Sequence, residues 1–502
     1  MTSYEHKKEG VAFSIGAFGL SAAFFLGLAI LDGPVWCVDS PSYTEMTFVR
    51  EPLYPLFLWC LRMICEKTGF TGLMYGQERY LFVAVIIQSI IWVIATYALG
   101  RFVYRQASKS LSGKRAITLG FIAVLSQIAV ASLNRFVAGR GSMYSESIMT
   151  ESLAMPLFIM FNITLIESFI DYDKNAFIRL AIMGFLIASI RKQMLITLII
   201  WGGCAFVMYL FVKRYRDLRK FLLVLLAILI SFTAINLMDR TYNYAVRGVF
   251  TGHVGDSKGG LNTVLYTALP EDRELFSPLE DEYPGITQLY DEIYSECIEQ
   301  GLTIDFAQGY ELKEKSTVFN SDWTAMVEHY AQAYDIIGFD VVLPAGDRYV
   351  ARTFPELDEV HAQIMENRVE KVLFRTLLKE AFHKIVTGQD RGIAYVFWGN
   401  VLKAFVISNA NMYPKVLISV SVVMYGIFLG LMIWTGIRNL KGRGIPEGRK
   451  NFGRFVLVMG FVVMAGIIVN CFITGSMIFP QGRYMCYSMG LFYLTLSCAI
   501  LC

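Results

Sequence analysis

The sequence predicts an all-α polytopic membrane protein with about ten transmembrane helices. Three observations predict it. Of 502 residues, 55% are hydrophobic and only 17% are charged, whereas soluble domains carry about 25% charged residues. The apolar residues fall in runs long enough to cross a bilayer, which takes about 20 residues per helix. The basic residues gather in short loops between those runs, following the positive-inside bias of membrane proteins.

The candidate spans, in chain order, are 11–31, 79–100, 116–133, 149–169, 177–190, 193–212, 221–238, 414–436, 455–474 and 484–502. Backbone polar groups in lipid must be satisfied within their own segment, so helices are the expected form. The fifth run is the shortest. The run 53–65 is too short and too interrupted to span, and reads as an interfacial helix. The first run lacks a small-residue cleavage site, so it is expected to remain as a span rather than leave as a signal peptide.

Three loops set the orientation. Loop 101–115 carries Arg101, Arg105, Lys109, Lys114 and Arg115 and no acid. Loop 213–220 carries Lys213, Arg214, Arg216, Arg219 and Lys220 against Asp217. Loop 437–454 carries Arg438, Lys441, Arg443, Arg449, Lys450 and Arg454 against Glu447. With ten spans, all three fall on one side together with both termini, and that side is expected to be the cytoplasm.

The chain then divides into an N-terminal transmembrane module over 1–238, with its first outer loop at 32–66, an extracytoplasmic insertion over 239–395, and C-terminal helices over 396–502. The insertion holds 14 Lys and Arg against 27 Asp and Glu, a net of −13, and the remainder nets +16. That positive charge belongs to the loops of the inner side, which excludes nucleic acid as its explanation. Stretches such as "DEYPGITQLYDEIYSECIEQGL" have helical apolar spacing, so the insertion is expected to be mainly helical. Nine cysteines, mostly in apolar runs and with no CxxC pair, exclude a disulfide framework. One Cys37–Cys297 bridge stays open to the chain.

This orientation places the unusual polar residues at the outer face. "WCVDSPSYTEMTFVREPLYPLFL", residues 36–58, puts Asp39, Tyr43, Glu45, Arg50 and Glu51 in the first outer loop. Arg135, Arg140, Tyr144 and Glu146 lie in the second, and "MTESLAMP" sets Glu151 at the top of the fourth span. "IRKQ" places Arg191, Lys192 and Gln193 in the third outer turn, and "FPQGRYMCY" places Gln481, Arg483 and Tyr484 in the last. Simpler roles are open to several of them. An arginine near a helix end can snorkel to headgroups. Asp39 can cap a helix, because "DSPS" offers a cap residue with proline in the first turn. Asp32, at the end of the first span, is a rival acid. Glu151 is harder to set aside, since an acid inside a span is expensive and usually faces a polar cavity. Together these residues describe acids among fixed cations. Arginine suits bidentate phosphate recognition, and an acid opposite it can act as a base toward a hydroxyl. The combination suits a lipid phosphate at the outer leaflet meeting a hydroxyl acceptor.

Other motifs carry less. "DYD" at Asp171–Asp173 has the form of a metal-binding DxD but sits in a short basic-side loop with no nucleotide-binding domain around it. "RGSMYSES" lacks the spacing of a nucleophile elbow. "TGHVGDSKGG" lacks the Walker lysine context and reads as a loop. The five histidines form neither HxH nor HExxH, so no zinc site is expected.

In these features the chain resembles the GT-C superfamily of membrane glycosyltransferases, the group that includes protein O-mannosyltransferases and bacterial aminoarabinose transferases. The likeness is carried by Asp39 followed by "REPLYPLFL", by "MTESLAMPLFIM", by "ASIRKQMLITL" and by "GRYMCYSMGLFYL". It covers the topology of roughly the first 240 residues and the C-terminal spans. The resemblance implies a GT-C-like fold and a glycosyltransferase of the cell membrane with its active site on the extracytoplasmic face. It implies a polyprenyl-phosphate-linked sugar donor and an extracytoplasmic acceptor such as a cell-wall polymer, glycan, glycolipid or protein. By position Asp39 matches the catalytic loop acid. Arg191 and Arg483 match donor-phosphate contacts, with Lys192, Tyr484, Arg135 and Arg140 beside them. Many relatives carry two acids close together in this loop; here Glu45, Glu51 or Glu151 has to serve as the second. No resident cofactor is implied, although a divalent cation (Mg or Mn) on Asp39 and the donor phosphate is open, as some relatives use one. The rival readings are a lipid-linked sugar flippase, which should show paired halves and a polar path through the bilayer, and a membrane glycan polymerase.

Overall fold

Helices account for most of the backbone in the computed structural model, which describes residues 3–136, 143–170, 174–255, 258–307, 323–389, 392–410, 414–441 and 446–502. The chain separates into two compact units. One comprises Met1–Gly252, Val406–Asn470 and Gly482–Cys502; the other comprises His253–Phe405 and Cys471–Gln481.

The first unit opens with α1 (Ser3–Asp32), the short α2 (Ser40–Thr44) and α3 (Leu53–Lys67). α3 begins after Pro52 and buries Tyr54, Leu58, Leu61 and Cys65 along one face. A two-residue hairpin follows, β1 (Leu73–Met74) against β2 (Gln77–Glu78), the one departure from an all-α chain among the described residues. Its turn needs positive φ twice, at Tyr75 and Gly76, as a tight primed turn does. Then come α4 (Arg79–Ser108), α5 (Gly113–Phe136), α6 (Glu151–Ile170), α7 (Lys174–Ile190), α8 (Ile196–Phe211) and α9 (Leu218–Arg247).

The second unit supplies α10 (Lys258–Leu265), α11 (Ile286–Glu299), α12 (Trp323–Ile336), α13 (Leu343–Thr353), α14 (Glu359–Thr387) and most of α15 (Ile393–Ala410). Its core combines Leu, Ile and Val side chains with a group of fully buried rings, Tyr266, Phe276, Tyr290, Tyr330 and Tyr349. Tyr266 packs edge-on against Tyr330 at 5.1 Å and is hydrogen-bonded to His329 Nδ1 at 2.8 Å. The chain closes with α16 (Pro414–Lys441), α17 (Glu447–Met477), α18 (Gly482–Met485) and α19 (Met489–Leu501).

Among the described residues ten helices are long and apolar enough to span a membrane, which makes this a multi-pass membrane protein. Nine coincide with segments expected from the sequence; the tenth is Ile393–Ala410, and Asn175–Ile190 is a shorter apolar helix. All nine cysteines are free, so the Cys37–Cys297 bridge is absent.

Helices of the first unit cross closely where glycine permits it. A Cβ on Gly100 of α4 would lie 2.8 Å from Val124 Cγ2 and 3.2 Å from the Gly120 carbonyl of α5. Small residues let helix backbones approach in lipid, where packing replaces the hydrophobic drive. Phe13 of α1 fills the same crossing, stacked on Tyr104 at 4.6 Å.

The helices also define two ends. At one, Gly448 sits against Ser110 and the Lys109 carbonyl, Glu9 lies beside Gly113, and Cys502 is within electrostatic reach of Arg438 and Arg449. Arg214 of the second basic loop lines one cavity there with Lys109 and Arg454 of the other two, so all three basic loops gather at this end with Glu9 and Cys502. The opposite end carries the loops around Asp39.

Candidate functional site

The first and second loops at the Asp39 end are tied by backbone. Val35 and Ser147 form an isolated parallel bridge: Val35 N donates to Glu146 O and Ile148 N to Val35 O, both at 3.0 Å. Ser40 Oγ donates to Ile148 O at 2.9 Å and accepts from Cys37 N at 2.8 Å, which fixes the chain on either side of Asp39. Asp39 does occupy the cap position of α2, yet its side chain makes no capping bond. It turns instead to two arginines. Arg50 Nη2 lies 2.8 Å from Oδ1 and Arg483 Nη1 3.0 Å from Oδ2. Burial alone would raise the Asp39 pKa, but the two guanidiniums outweigh it and hold the carboxyl below its ordinary range.

Arg483 joins Asp39 to a second pair. Its Nε lies 3.9 Å from Glu151 Oε1, and the same oxygen is 2.7 Å from Arg191 Nη1. Glu151 is buried, with a side chain only 1% exposed, while Asp39 keeps 28% and Arg483 18%. The buried carboxylate is thus a fixed counter-ion and the more open Asp39 faces outward. Tyr484 lies between the two arginines, its ring 4.9 Å from the Arg191 guanidinium and 4.8 Å from that of Arg483. Its hydroxyl accepts from Arg483 Nη2 at 2.8 Å. Tyr43 stacks under Arg50 at 4.5 Å.

The turn that presents Arg191 is held by its neighbours. Ile190 ends α7 and Lys192 opens a 3₁₀ turn to Leu195, leaving Arg191 extended between them. Arg191 Nη1 donates to Thr150 Oγ1 and its Nε to Gln193 Oε1, both at 3.0 Å. Gln193 Nε2 reaches Asn470 Oδ1 at 3.3 Å, and Asn470 Nδ2 donates to Tyr484 O at 2.8 Å. This chain of amides links the 3₁₀ turn before α8 to α17 and α18.

The structure brings together Asp39, Glu151, Arg191, Arg483 and Tyr484 from the residues the sequence singled out. Glu51 is nearby in a supporting role: its Oε1 accepts the backbone N–H of Lys192 at 2.6 Å and so positions the Arg191 turn. Glu45 ends α2 on the exposed surface. Arg135 pairs with Asp32 at 2.9 Å, beside the buried Glu146, as a separate group. Arg140 and the Asp171–Asp173 stretch lie outside the described residues.

Sequence reasoning assigned no site role to three members of the cluster. Arg50 directly precedes Glu51 in the quoted loop and was visible as a charge. Thr150 and Asn470 gave no signal beyond being polar residues at span ends. Both Asp39 oxygens already face guanidiniums, a poor setting for a divalent cation, and among the described residues no three His, Cys, Asp or Glu are grouped to hold a metal. The five-residue core nets one positive charge, from Arg50, Arg191 and Arg483 against Asp39 and Glu151. Such a cluster can accept one further anion and hold a polar group against Asp39.

No protein-family model, no curated protein and no solved structure matches the chain.

Proposed function

We propose that this protein is a membrane glycosyltransferase that moves a sugar from a polyprenyl-phosphate donor to a hydroxyl acceptor at the Asp39 end. That end would face away from the cytoplasm, since the basic loops and both chain ends gather opposite it. The observation that carries the reading is Arg483 placed between Asp39 and the buried Glu151–Arg191 pair. It sets a fixed cation and a solvent-facing acid side by side at a membrane surface.

In this reading the acceptor hydroxyl attacks the anomeric carbon while the bond from that carbon to the phosphate oxygen breaks. The hydroxyl proton passes to Asp39, and the departing phosphate keeps the electron pair and places its charge on Arg483 and Arg191. Preorganised cations aimed at a developing charge are a major source of catalysis. Asp39 is a weak base while two arginines hold it. A donor phosphate competing for Arg483 draws that cation away and makes the carboxylate more basic only when substrate is present. Glu151, buried and paired, serves as the counter-ion that keeps Arg191 in place.

The reading is tested with the purified chain, synthetic polyprenyl-phosphate sugars and a panel of hydroxyl acceptors. Transfer is expected from at least one donor, and Asp39→Asn is expected to slow it by about 10²- to 10⁴-fold. No transfer from any donor, or an Asp39→Asn variant as fast as wild type, overturns it. A flippase would instead move the lipid-linked sugar across vesicles without cleaving it.

A further inference from the structure

A set of basic side chains lies at the end opposite Asp39. α6 carries Glu151 at one terminus and Ile170 at the other, and its 20 residues make a rod of about 30 Å. Around its far end is a cavity of about 750 Å³, open at the basic end. All three basic loops contribute to it: Lys109 from the first, Arg214 from the second and Arg454 from the third. None of these cations has a carboxylate within 4 Å among the described residues. Lys109 Nζ bonds the neutral Gln106 at 3.2 Å, Arg454 Nη1 reaches the neutral Asn451 at 3.4 Å, and Arg214 lies 5.9 Å over the Tyr215 ring.

The inner wall of this cavity is apolar, and it adjoins a second cavity of about 420 Å³ lined by Trp201, Ala205 and Phe221. Phe169, Met208 and Tyr215 line both spaces. Tyr215 packs edge-on against Phe169 at 6.0 Å and donates its hydroxyl to the Phe169 carbonyl, forming the partition between them. A cationic mouth leading to paired apolar chambers within helices matches one ligand shape, a charged headgroup followed by hydrocarbon.

We propose that this is a binding site for an anionic phospholipid of the leaflet at the basic end. The phosphate lies among Lys109, Arg214 and Arg454, and an acyl chain follows the apolar wall past Tyr215 into the second chamber. The site is separate from the Asp39 cluster and stands whether or not that cluster transfers sugar. Basic pockets between transmembrane helices recognise anionic headgroups by this chemistry.

The test is native mass spectrometry of the purified full chain with phosphatidylglycerol or phosphatidylcholine of equal chain length. Wild type is expected to retain phosphatidylglycerol in strong preference. Each cation near the surface is worth about five-fold, so the triple variant Lys109→Gln, Arg214→Gln, Arg454→Gln should lose about 100-fold of that preference. All three side chains are exposed; should the triple variant not fold, Arg214→Gln alone should lose about five-fold. Ala205→Phe, which fills the apolar chamber, should weaken long-chain phosphatidylglycerol and spare the dihexanoyl form. Equal retention of the two lipids by wild type, or undiminished preference in the charge variants, overturns the proposal. Displacement of the lipid by an equal concentration of inorganic phosphate also overturns it, because the site would then be one for a free anion.

Discussion

Arg191 is the residue on which the candidate site depends for its shape. It neutralises Glu151 at 2.7 Å, bonds Thr150 and Gln193, and stacks on Tyr484. Removing one partner of a buried ion pair leaves the other charge uncompensated, at a cost of about 3–5 kcal/mol. Arg191→Met is therefore expected to lower thermal stability in detergent by that order. The double variant Arg191→Met, Glu151→Gln should recover much of the loss; a double variant no more stable than the single would contradict the pairing. Glu146 offers a separate residue-scale test. It is fully buried, and burial pushes its carboxyl up to about 7, with the Asp32 carboxylate adding to the rise against the Met143 N–H and Arg135. The folded chain thus holds a proton that the unfolded chain, at 4.5, has released. Stability contributed by this group is full below 4.5 and falls as pH rises to about 7. Unfolding midpoints from pH 5 to 8 should show that fall in wild type and not in Glu146→Gln, and a matching slope in both would count against it. Asp39 acts in the opposite sense. Its lowered pKa places its loss of stabilisation below the ordinary value of 3.8, outside this window.

Two elements show where hydropathy alone misleads. α7 has only 17 residues, about 25 Å, and falls short of an ordinary span. It nevertheless joins both ends of its unit: Phe177 and Leu180 line the chamber near the basic end, while Ile190 leads directly into Arg191. α15 has the length and hydropathy of a span. Yet α9 finishes at the Asp39 end, where Arg247 donates to the Met46 carbonyl and stacks on Phe48. α16 finishes at the basic end, beside α17, where Gly453 meets Asn439. An even number of crossings is therefore expected in the intervening chain, so α15 is expected not to cross on its own. With Cys60 replaced by Ser, thiols introduced as Gln389→Cys and Ala410→Cys should react with an impermeant reagent added on the same face. Labelling from opposite faces would make α15 a true crossing. The composition of "IAYVFWGNVLKAFVISNA" cannot reveal this, because length and apolarity say nothing of where neighbouring helices begin.

At the scale of the molecule, the arrangement of charge is legible in the sequence and the contacts are hidden. Loop basicity sorts the chain into two ends and assigns Asp39, Glu151, Arg191 and Arg483 to the same one. It does not reveal which acid meets which base. Glu51 looks as eligible as Glu151, yet one holds a backbone N–H and the other a guanidinium. Arg135 looks equivalent to Arg483, yet it serves Asp32. These choices depend on helix rotation and crossing, which no local spacing encodes.

The Asp39–Arg483 pair spans 444 positions of the chain. It therefore has a consequence for biosynthesis. During translation Asp39 and Arg50 emerge together, and Glu151 and Arg191 follow within the first half of the chain. Arg483 arrives only after the second unit and nearly all the membrane helices have been made. The nascent protein thus carries an incomplete site through most of its insertion, and the last helices to enter the bilayer act as a timer for its completion.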